Sequence, residues 1–121
     1  MRIDLLKTLY AYTLVNATKD NFDIGNYDFN GKKCLMGFAM QVPEFIEMGL
    51  ERLSTGAASI PMFNRKFGIL AAMEFFEISM NDAVNLFISK YGVKNNCLKY
   101  YLNNFKNFIQ KSETYTIKEI E

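Results

Sequence analysis

Carboxylates are the first residues in this sequence that could do chemistry. Glu44, Glu47 and Glu51 follow one another at spacings of three and four residues, which would place them on one face of a helix. Carboxylates arranged in this way can transfer protons, as in glycosidases, or hold a divalent cation. A solvated face near a helix start gives the same pattern, and the helix dipole favours that interpretation. A carboxylate enzyme or metal protein is therefore the least favoured of three functional hypotheses.

The segment NYDFNG, residues 26–31, matches the first half of a calcium-binding loop. It has oxygen ligands at alternate positions and a glycine at the sixth. The twelfth position of such a loop needs a glutamate that binds through both oxygens, and Gly37 stands there. We therefore exclude an EF-hand and expect no bound metal.

The sequence contains no histidine. This removes the usual general base, the usual metal ligand and every nucleophile pair that needs an imidazole. The segment STGAAS has neither the spacing nor the lysine of a phosphate-binding loop. Cys34 and Cys97 are far apart in the sequence, and two thiols in a chain of this length favour buried, reduced cysteines. We expect a protein that is not an enzyme and that uses no cofactor.

A basic and aromatic segment lies near the C-terminus. Between its first and last lysine it holds no acidic residue, and it includes Tyr100 among three tyrosines. Its five lysines are Lys90, Lys94, Lys99, Lys106 and Lys111. Lysines mixed with aromatic rings are typical of grooves for single-stranded nucleic acid or another anionic ligand. The alternative is that the tyrosines pack inward and the lysines are solvated. The formal charge of +1 confines any such attraction to this segment.

Hydrophobic spacing predicts the elements that position these residues. Helices are predicted over 3–17, over 35–53, as a pair within 67–91 and over 97–111, with an ordered loop at 18–33 and a linker at 54–66. Pro43 interrupts the second helix; we favour two helices, with Pro43 in the first turn of the latter, over one kinked helix. The pair turns at 77–79, where Ser79 and Asp82 have the spacing of a capping box.

The chain of 121 residues, half of them hydrophobic, predicts one compact domain. We expect a mainly α (all-α) fold of about five helices, with its core in 1–112 and a tail at 113–121. A short strand or hairpin is allowed for within 54–66 or in the tail. Asp4 and Lys7 interrupt any secretory signal, and no apolar run is long enough to span a membrane. We therefore expect a cytoplasmic protein without a membrane partner.

Three separated segments resemble a family of small, mostly uncharacterised phage and bacterial proteins. The segments are NFDIGNY at 21–27, CLMGFA at 34–39 and FGILAAMEFFEISMNDAVNLF at 67–87. The matching residues are Phe22, Asp23 and Tyr27 in a loop, Cys34, Gly37 and Ala39 at a helix start, and Ala71, Ala72, Ile78, Ser79, Ala83, Leu86 and Phe87 in a helical corner. The sequence departs from the family where NGKK stands in place of a Cys-Gly-Thr, and where Phe38 replaces a His or Trp.

The resemblance implies a small accessory protein encoded by a phage, without an established activity. We therefore expect a non-enzymatic interaction protein that binds and inhibits a host protein, such as a component of a nucleic-acid-guided or nucleotide-signalling defence system, as an anti-CRISPR does. Exposed aromatic residues and methionines could form its contact patch. The candidate partner-binding residues are Phe22, Asp23, Tyr27, Met62, Phe63, Arg65 and Lys66. The alternative is a nucleic-acid or anion-binding module built on the lysines. The sequence leaves the oligomeric state undecided, and a homodimer is one of the options.

Overall fold

In the computed structural model, which describes residues 1–120 and the side chains of residues 1–114, the chain forms six helices and four strands. The helices are α1 (Ile3–Asn16), α2 (Leu35–Ala39), α3 (Pro43–Glu47), α4 (Ile69–Phe76), α5 (Met80–Phe87) and α6 (Leu98–Ile120). The strands are β1 (Asp28–Phe29), β2 (Glu51–Thr55), β3 (Ala58–Phe63) and β4 (Lys66–Phe67). Glu121, the end of the predicted tail, lies outside the described residues.

The prediction of a mainly helical, all-α fold is wrong, because the chain also forms a four-stranded antiparallel sheet. β3 is its central strand. β2 pairs along one side of β3, and β1 and β4 pair with the two ends of its other side. The hairpin allowed for within 54–66 is present as β2 and β3, but it belongs to this larger sheet. No strand forms in the described part of the tail, since α6 continues to Ile120.

Two-residue turns at 56–57 and 64–65 join strands of the sheet, and a third at 30–31 follows β1 and brings Phe29 opposite Lys32. Asn30 and Gly31 both have positive φ, as do Asn64 and Arg65. That pattern is typical of type I′ turns, whose twist matches the twist of paired strands. Gly56, with φ of +66°, opens the turn between β2 and β3. The segment that resembles half a calcium loop, residues 26–31, therefore forms β1 and the turn that follows it.

Pro61 lies inside β3, although proline usually argues against a central strand. Its carbonyl oxygen accepts a hydrogen bond from the Gly68 N–H at 2.9 Å. Along β3, Pro61 lies between the residues that pair with β1 and the residues that pair with β4. The missing N–H of Pro61 therefore breaks no rung of the sheet.

The local signals for helix ends are confirmed. α2 ends at Ala39 and α3 begins at Pro43, so this segment forms two separate helices and not one kinked helix. The Ser79 side chain accepts from the Asp82 N–H at 3.1 Å and caps α5. The predicted helix over 35–53 is wrong beyond Glu47, because the chain turns there and enters β2.

The core connects the inner face of the sheet to the helices. The ring of Phe63 packs edge-on against Phe75 of α4, with 5.1 Å between ring centroids. The loop before β1 is held by Phe22, which packs on Tyr101 of α6 at 5.7 Å. Among the described residues, no helix has the length and apolar composition needed to cross a membrane.

Candidate functional site

One face of the sheet is apolar and exposed. Residues paired across antiparallel strands share a face, so the register separates the two faces of the sheet. Ser59 and Pro61 are buried, and they lie on the face that Phe63 turns toward α4. The opposite face presents five large apolar side chains, which we call the outer sheet face: Phe29, Leu53, Ile60, Met62 and Phe67. Ala58 lies on the same side, as do two polar residues at the ends of β2, Glu51 and Thr55.

The exposure of the outer sheet face is unusual for an antiparallel sheet. Such sheets commonly bury one hydrophobic face and present a polar one to water. Here Phe29 and Phe67 are each 46% exposed, and Leu53 is 39% exposed. Contiguous exposed apolar surface marks a site of interaction more often than isolated apolar residues do. The outer sheet face is therefore the candidate interaction surface among the described residues.

An open groove continues this surface at the end of the sheet. Its lining residues are Met48, Gly49, Glu51, Met62, Phe63, Asn64 and Arg65. A second groove, on the other side of the turn after β3, is lined by Arg2, Met48, Phe63, Asn64, Met73, Glu74, Phe75 and Glu77. The two grooves share Met48, Phe63 and Asn64, and both are lined by apolar and charged residues.

The structure brings together some of the predicted partner-binding residues. Met62, Phe63 and Arg65 line the same groove, at the end of the outer sheet face. Lys66 lies on the opposite side of the hairpin, where its Nζ donates to Glu74 Oε2 at 2.9 Å. Three of the seven residues therefore gather at one site.

The other three predicted partner-binding residues lie in the loop before β1. Phe22 is 1% exposed, so its side chain is part of the core and offers no contact surface. Asp23 uses its Oδ1 to accept from the Gly25 N–H at 2.8 Å. Tyr27 is half-buried, and burial raises the pKa of its hydroxyl to about 12. These residues hold the loop in place.

Two of the predicted basic residues share a shallow groove between α1 and α6. Lys99 and Lys106 are seven residues apart, which places them on one side of the helix. With Tyr10 of α1 they line a groove that also includes Leu98, Leu102 and Asn103. Cationic side chains and an aromatic ring in one groove are the combination that binding sites for single-stranded nucleic acid use.

The remaining basic and aromatic candidates lie elsewhere. Lys111 and Tyr100 occupy another side of α6, at about 120° and 100° around the axis from Lys99. Lys94 is exposed in the preceding loop. The Nζ of Lys90 donates to the side chain of Asn85, and its backbone N–H donates to the Tyr101 hydroxyl at 2.9 Å. The predicted basic segment therefore does not form one continuous surface.

Among the described residues, the three predicted glutamates and the two cysteines do not assemble a reactive site. Glu47 ends α3 and Glu51 begins β2, so the three glutamates share no helix face. Within the described residues, no group of three side chains could hold a metal ion. Burial raises the pKa of the Cys34 thiol to about 11, so this thiol is a poor nucleophile near neutral pH. Cys97 is free and exposed.

Sequence reasoning missed most of the outer sheet face. The predicted partner-binding residues do not include Phe29, Leu53, Ile60 or Phe67, although Ile60 and Met62 alternate with Ser59 and Pro61. Alternation is the signal of a half-buried strand. The Asn-Gly pair at 30–31 is a strong hairpin signal, and it stands directly after Phe29.

Two of the three segments that carry the motif resemblance, at 21–27 and 34–39, contact each other. The Cys34 N–H donates to the Asn26 carbonyl at 2.7 Å, and Gly37 lies against the carbonyl of Tyr27. These contacts give the motif residues a packing role. Comparison with family models, with curated proteins and with solved structures finds no match to this chain. The family resemblance stays a prediction.

Proposed function

We propose that this protein is a non-enzymatic interaction protein that binds another protein through its outer sheet face. The observation that carries the proposal is the set of five apolar side chains on the side of the sheet opposite the core, of which Phe29, Leu53 and Phe67 are substantially exposed. Aromatic residues and methionine are enriched where protein interfaces are buried. Glu51 and Arg65, at the rim of the groove, would then supply the polar border that such interfaces have.

The motif resemblance suggests the setting of this interaction. In a phage accessory protein, the partner would be a host protein, and a component of a defence system is the kind of target we propose. Binding would act by covering a surface that the target needs, which requires no catalytic group on this chain. That mode of action agrees with the lack of histidine and with the absence of a metal-binding group among the described residues.

The test is capture of the partner from host and infected lysates, with and without nuclease, with tagged variants. We expect the natural chain to retain one nuclease-resistant protein partner. Leu53→Glu combined with Phe67→Glu should lose it, because both side chains would then place a charge in the apolar interface. Val15→Glu is the matched control, since Val15 is 83% exposed on α1, outside the outer sheet face.

Two results would contradict the proposal. One is capture of the same partner by the Leu53→Glu, Phe67→Glu variant at the yield of the natural chain. The other is that the natural chain captures nothing above background. The melting temperature of each variant is measured first, so that a lost partner is not confused with a lost fold.

A second candidate function is binding of single-stranded nucleic acid or another polyanion in the groove between α1 and α6. The observation that favours it is that Lys99, Lys106 and Tyr10 line one groove. Fluorescence anisotropy with a labelled single-stranded oligonucleotide, read over a salt series, tests it. Two neutralised phosphates give a slope of about −1.4 in log K against log salt.

Charge reversal in the groove should remove this binding. We expect Lys99→Glu with Lys106→Glu to abolish it. Lys94→Glu with Lys111→Glu makes the same change in net charge outside the groove, and it should weaken binding far less. Equal losses in the two double variants, or no binding at low salt, would reject this candidate.

A further inference from the structure

The two edges of the sheet are built differently. One edge consists of β1 and β4, which have two residues each and are separated by a gap. The other edge is β2, which has five residues, all exposed, with no proline, lysine or glycine among them. Proteins usually protect sheet edges with short strands, charged side chains, prolines or bulges. The β2 edge carries two charged residues, Glu51 and Arg52, but it is longer than the strands of the other edge and has neither a proline nor a break in its register with β3.

The register shows which backbone groups of β2 are free. The Pro61 carbonyl accepts from Gly68, so the backbone groups of Pro61 point away from β2. Arg52 is the residue paired with Pro61, and its N–H and C=O must therefore point away from β3. The alternation of the ladder gives the same direction to Ser54, two residues on. Four backbone groups at the β2 edge thus face outward.

The β2 strand is complementary to itself. Antiparallel pairing about a twofold axis at Leu53 places Arg52 opposite Ser54 and Glu51 opposite Thr55 of the other copy. The outward groups of Arg52 and Ser54 would then form four backbone hydrogen bonds across the axis. No like charges face each other, and the Arg52 guanidinium is already paired with the Asp28 carboxylate. An axis at Arg52 would instead oppose two guanidinium groups.

We propose that a second copy of this chain pairs with the β2 edge, forming a continuous eight-stranded sheet with twofold symmetry. The axis is perpendicular to the sheet, so the outer sheet faces of the two copies lie side by side on one surface. The inference stands on the backbone of β2 and does not depend on the proposed partner protein. A five-residue edge is small for an interface, and it belongs to the class that buries less than about 1,200 Å². The dimer therefore forms in a concentration-dependent way.

The experiment is sedimentation equilibrium of the full chain over a concentration series. We expect a monomer–dimer equilibrium. Ser54→Pro should abolish the dimer, because it removes an outward N–H that the monomer does not use, and proline is tolerated at such edge positions. The melting temperature of the variant reports whether the monomer keeps its fold.

A pair of charge variants tests the register directly and does not depend on the proline variant. Thr55→Lys would face Glu51 of the other copy and should tighten the dimer, whereas Thr55→Glu should weaken it. Each shift should be about 2- to 30-fold, from two symmetry-related pairs. Phe67→Glu, on β4 and away from the edge, should leave the dimer constant unchanged.

Three outcomes would overturn the proposal. The first is a natural chain that stays monomeric at millimolar concentration. The second is a dimer constant that moves in the same direction in both Thr55 variants. The third is a dimer that survives Ser54→Pro but is lost with Phe67→Glu, since the copies would then associate through their outer sheet faces. If the natural chain dimerises but captures no partner from lysate, the proposed function alone is rejected.

Discussion

Gly37 is the position where the fold has no room for a side chain. The backbone carbonyl of Tyr27 lies against α2 at this residue. A Cβ on Gly37 would lie 1.7 Å from that oxygen and 2.6 Å from the Lys33 Cβ. The first contact is with backbone, which cannot turn aside as a flexible side chain can. The close approach lets the Cys34 N–H reach the Asn26 carbonyl. A glycine here therefore holds the loop before β1 against the core.

Gly37→Ala should destabilise the protein by about 3 kcal/mol, at the upper end of the range for overpacking. Gly92→Ala is the control, because a Cβ there meets nothing within 4 Å and only its φ of +79° is strained. The control should cost about 1 kcal/mol. Urea denaturation measures both free energies of unfolding. Equal costs in the two variants would contradict the close approach at Gly37.

Alkaline pH should destabilise the fold through Cys34. Burial raises the pKa of this thiol to about 11, above its ordinary value of 9.0. The unfolded chain therefore loses the proton first, and stability present below pH 9 is lost as pH rises toward 11. We expect a loss of about 1.4 kcal/mol in the free energy of unfolding per pH unit within this window.

The measurement for Cys34 is urea denaturation at several pH values between 8 and 10. Cys34→Ala should remove most of the slope, since it removes the group that titrates. Cys97→Ala should keep the slope, because the Cys97 side chain is exposed. An unchanged slope in Cys34→Ala would assign the pH dependence to other groups.

At the scale of elements, the corner between α4 and α5 shows how local chemistry ends one helix and starts another. Glu77 adopts the left-handed conformation at the end of α4, with φ of 53°. Two residues later Ser79 is extended and caps α5 through the Asp82 N–H. Both helices have eight residues and are too short to be stable alone. The cap therefore matters more here than in a long helix.

Ser79→Ala should cost about 1 kcal/mol, because the Asp82 N–H loses its acceptor. Ser79→Asp keeps an oxygen acceptor at the cap and should cost much less. Thermal unfolding followed by circular dichroism compares the three proteins. If the aspartate variant is as unstable as the alanine variant, the cap is not the source of the loss.

For the whole molecule, the aromatic core joins elements that are distant in the sequence. Phe76 of α4 lies 5.8 Å from the ring of Phe45 in α3 and 5.8 Å from that of Phe87 in α5. At 5.0 Å it also meets Phe75, which in turn contacts Phe63 of the sheet. Sheet and helices thus share one core, and we expect them to unfold together.

Phe76→Ala should cost about 3–5 kcal/mol and should destabilise sheet and helices alike. Leu70→Ala is the control on the same helix, because Leu70 is 48% exposed, and it should change stability by less than about 0.5 kcal/mol. Urea unfolding is followed by far-UV and near-UV circular dichroism. Separate transitions for the two signals in Phe76→Ala would contradict a shared core.

Several features of the fold could be predicted because their causes are local. The break at Pro43 follows from the missing N–H of proline, and the cap at Ser79 from an oxygen three residues before Asp82. The sheet could not be predicted in the same way. Asp28 pairs with Ser59, thirty-one residues away, and Pro61, which falls in the predicted linker, lies in β3 beside the gap between β1 and β4.

The candidate site was predictable only in part. Met62, Phe63 and Arg65 were chosen, and they line one groove. Phe22 was chosen for its ring, which the core buries instead. Spacing alone does not distinguish an aromatic residue that faces the core from one that faces water when the segment has no regular period.

The sequence by itself determined where the main helices run and how the α5 cap and the Pro43 break divide them, because spacing of 3.6 residues, proline chemistry and capping act within a few residues. Only the tertiary structure decided that a sheet forms, that its outer face is apolar, and that Lys99 and Lys106 share a groove with Tyr10 while Lys111 does not. Strand pairing and burial join residues that are distant in the sequence, and such contacts depend on the complete fold.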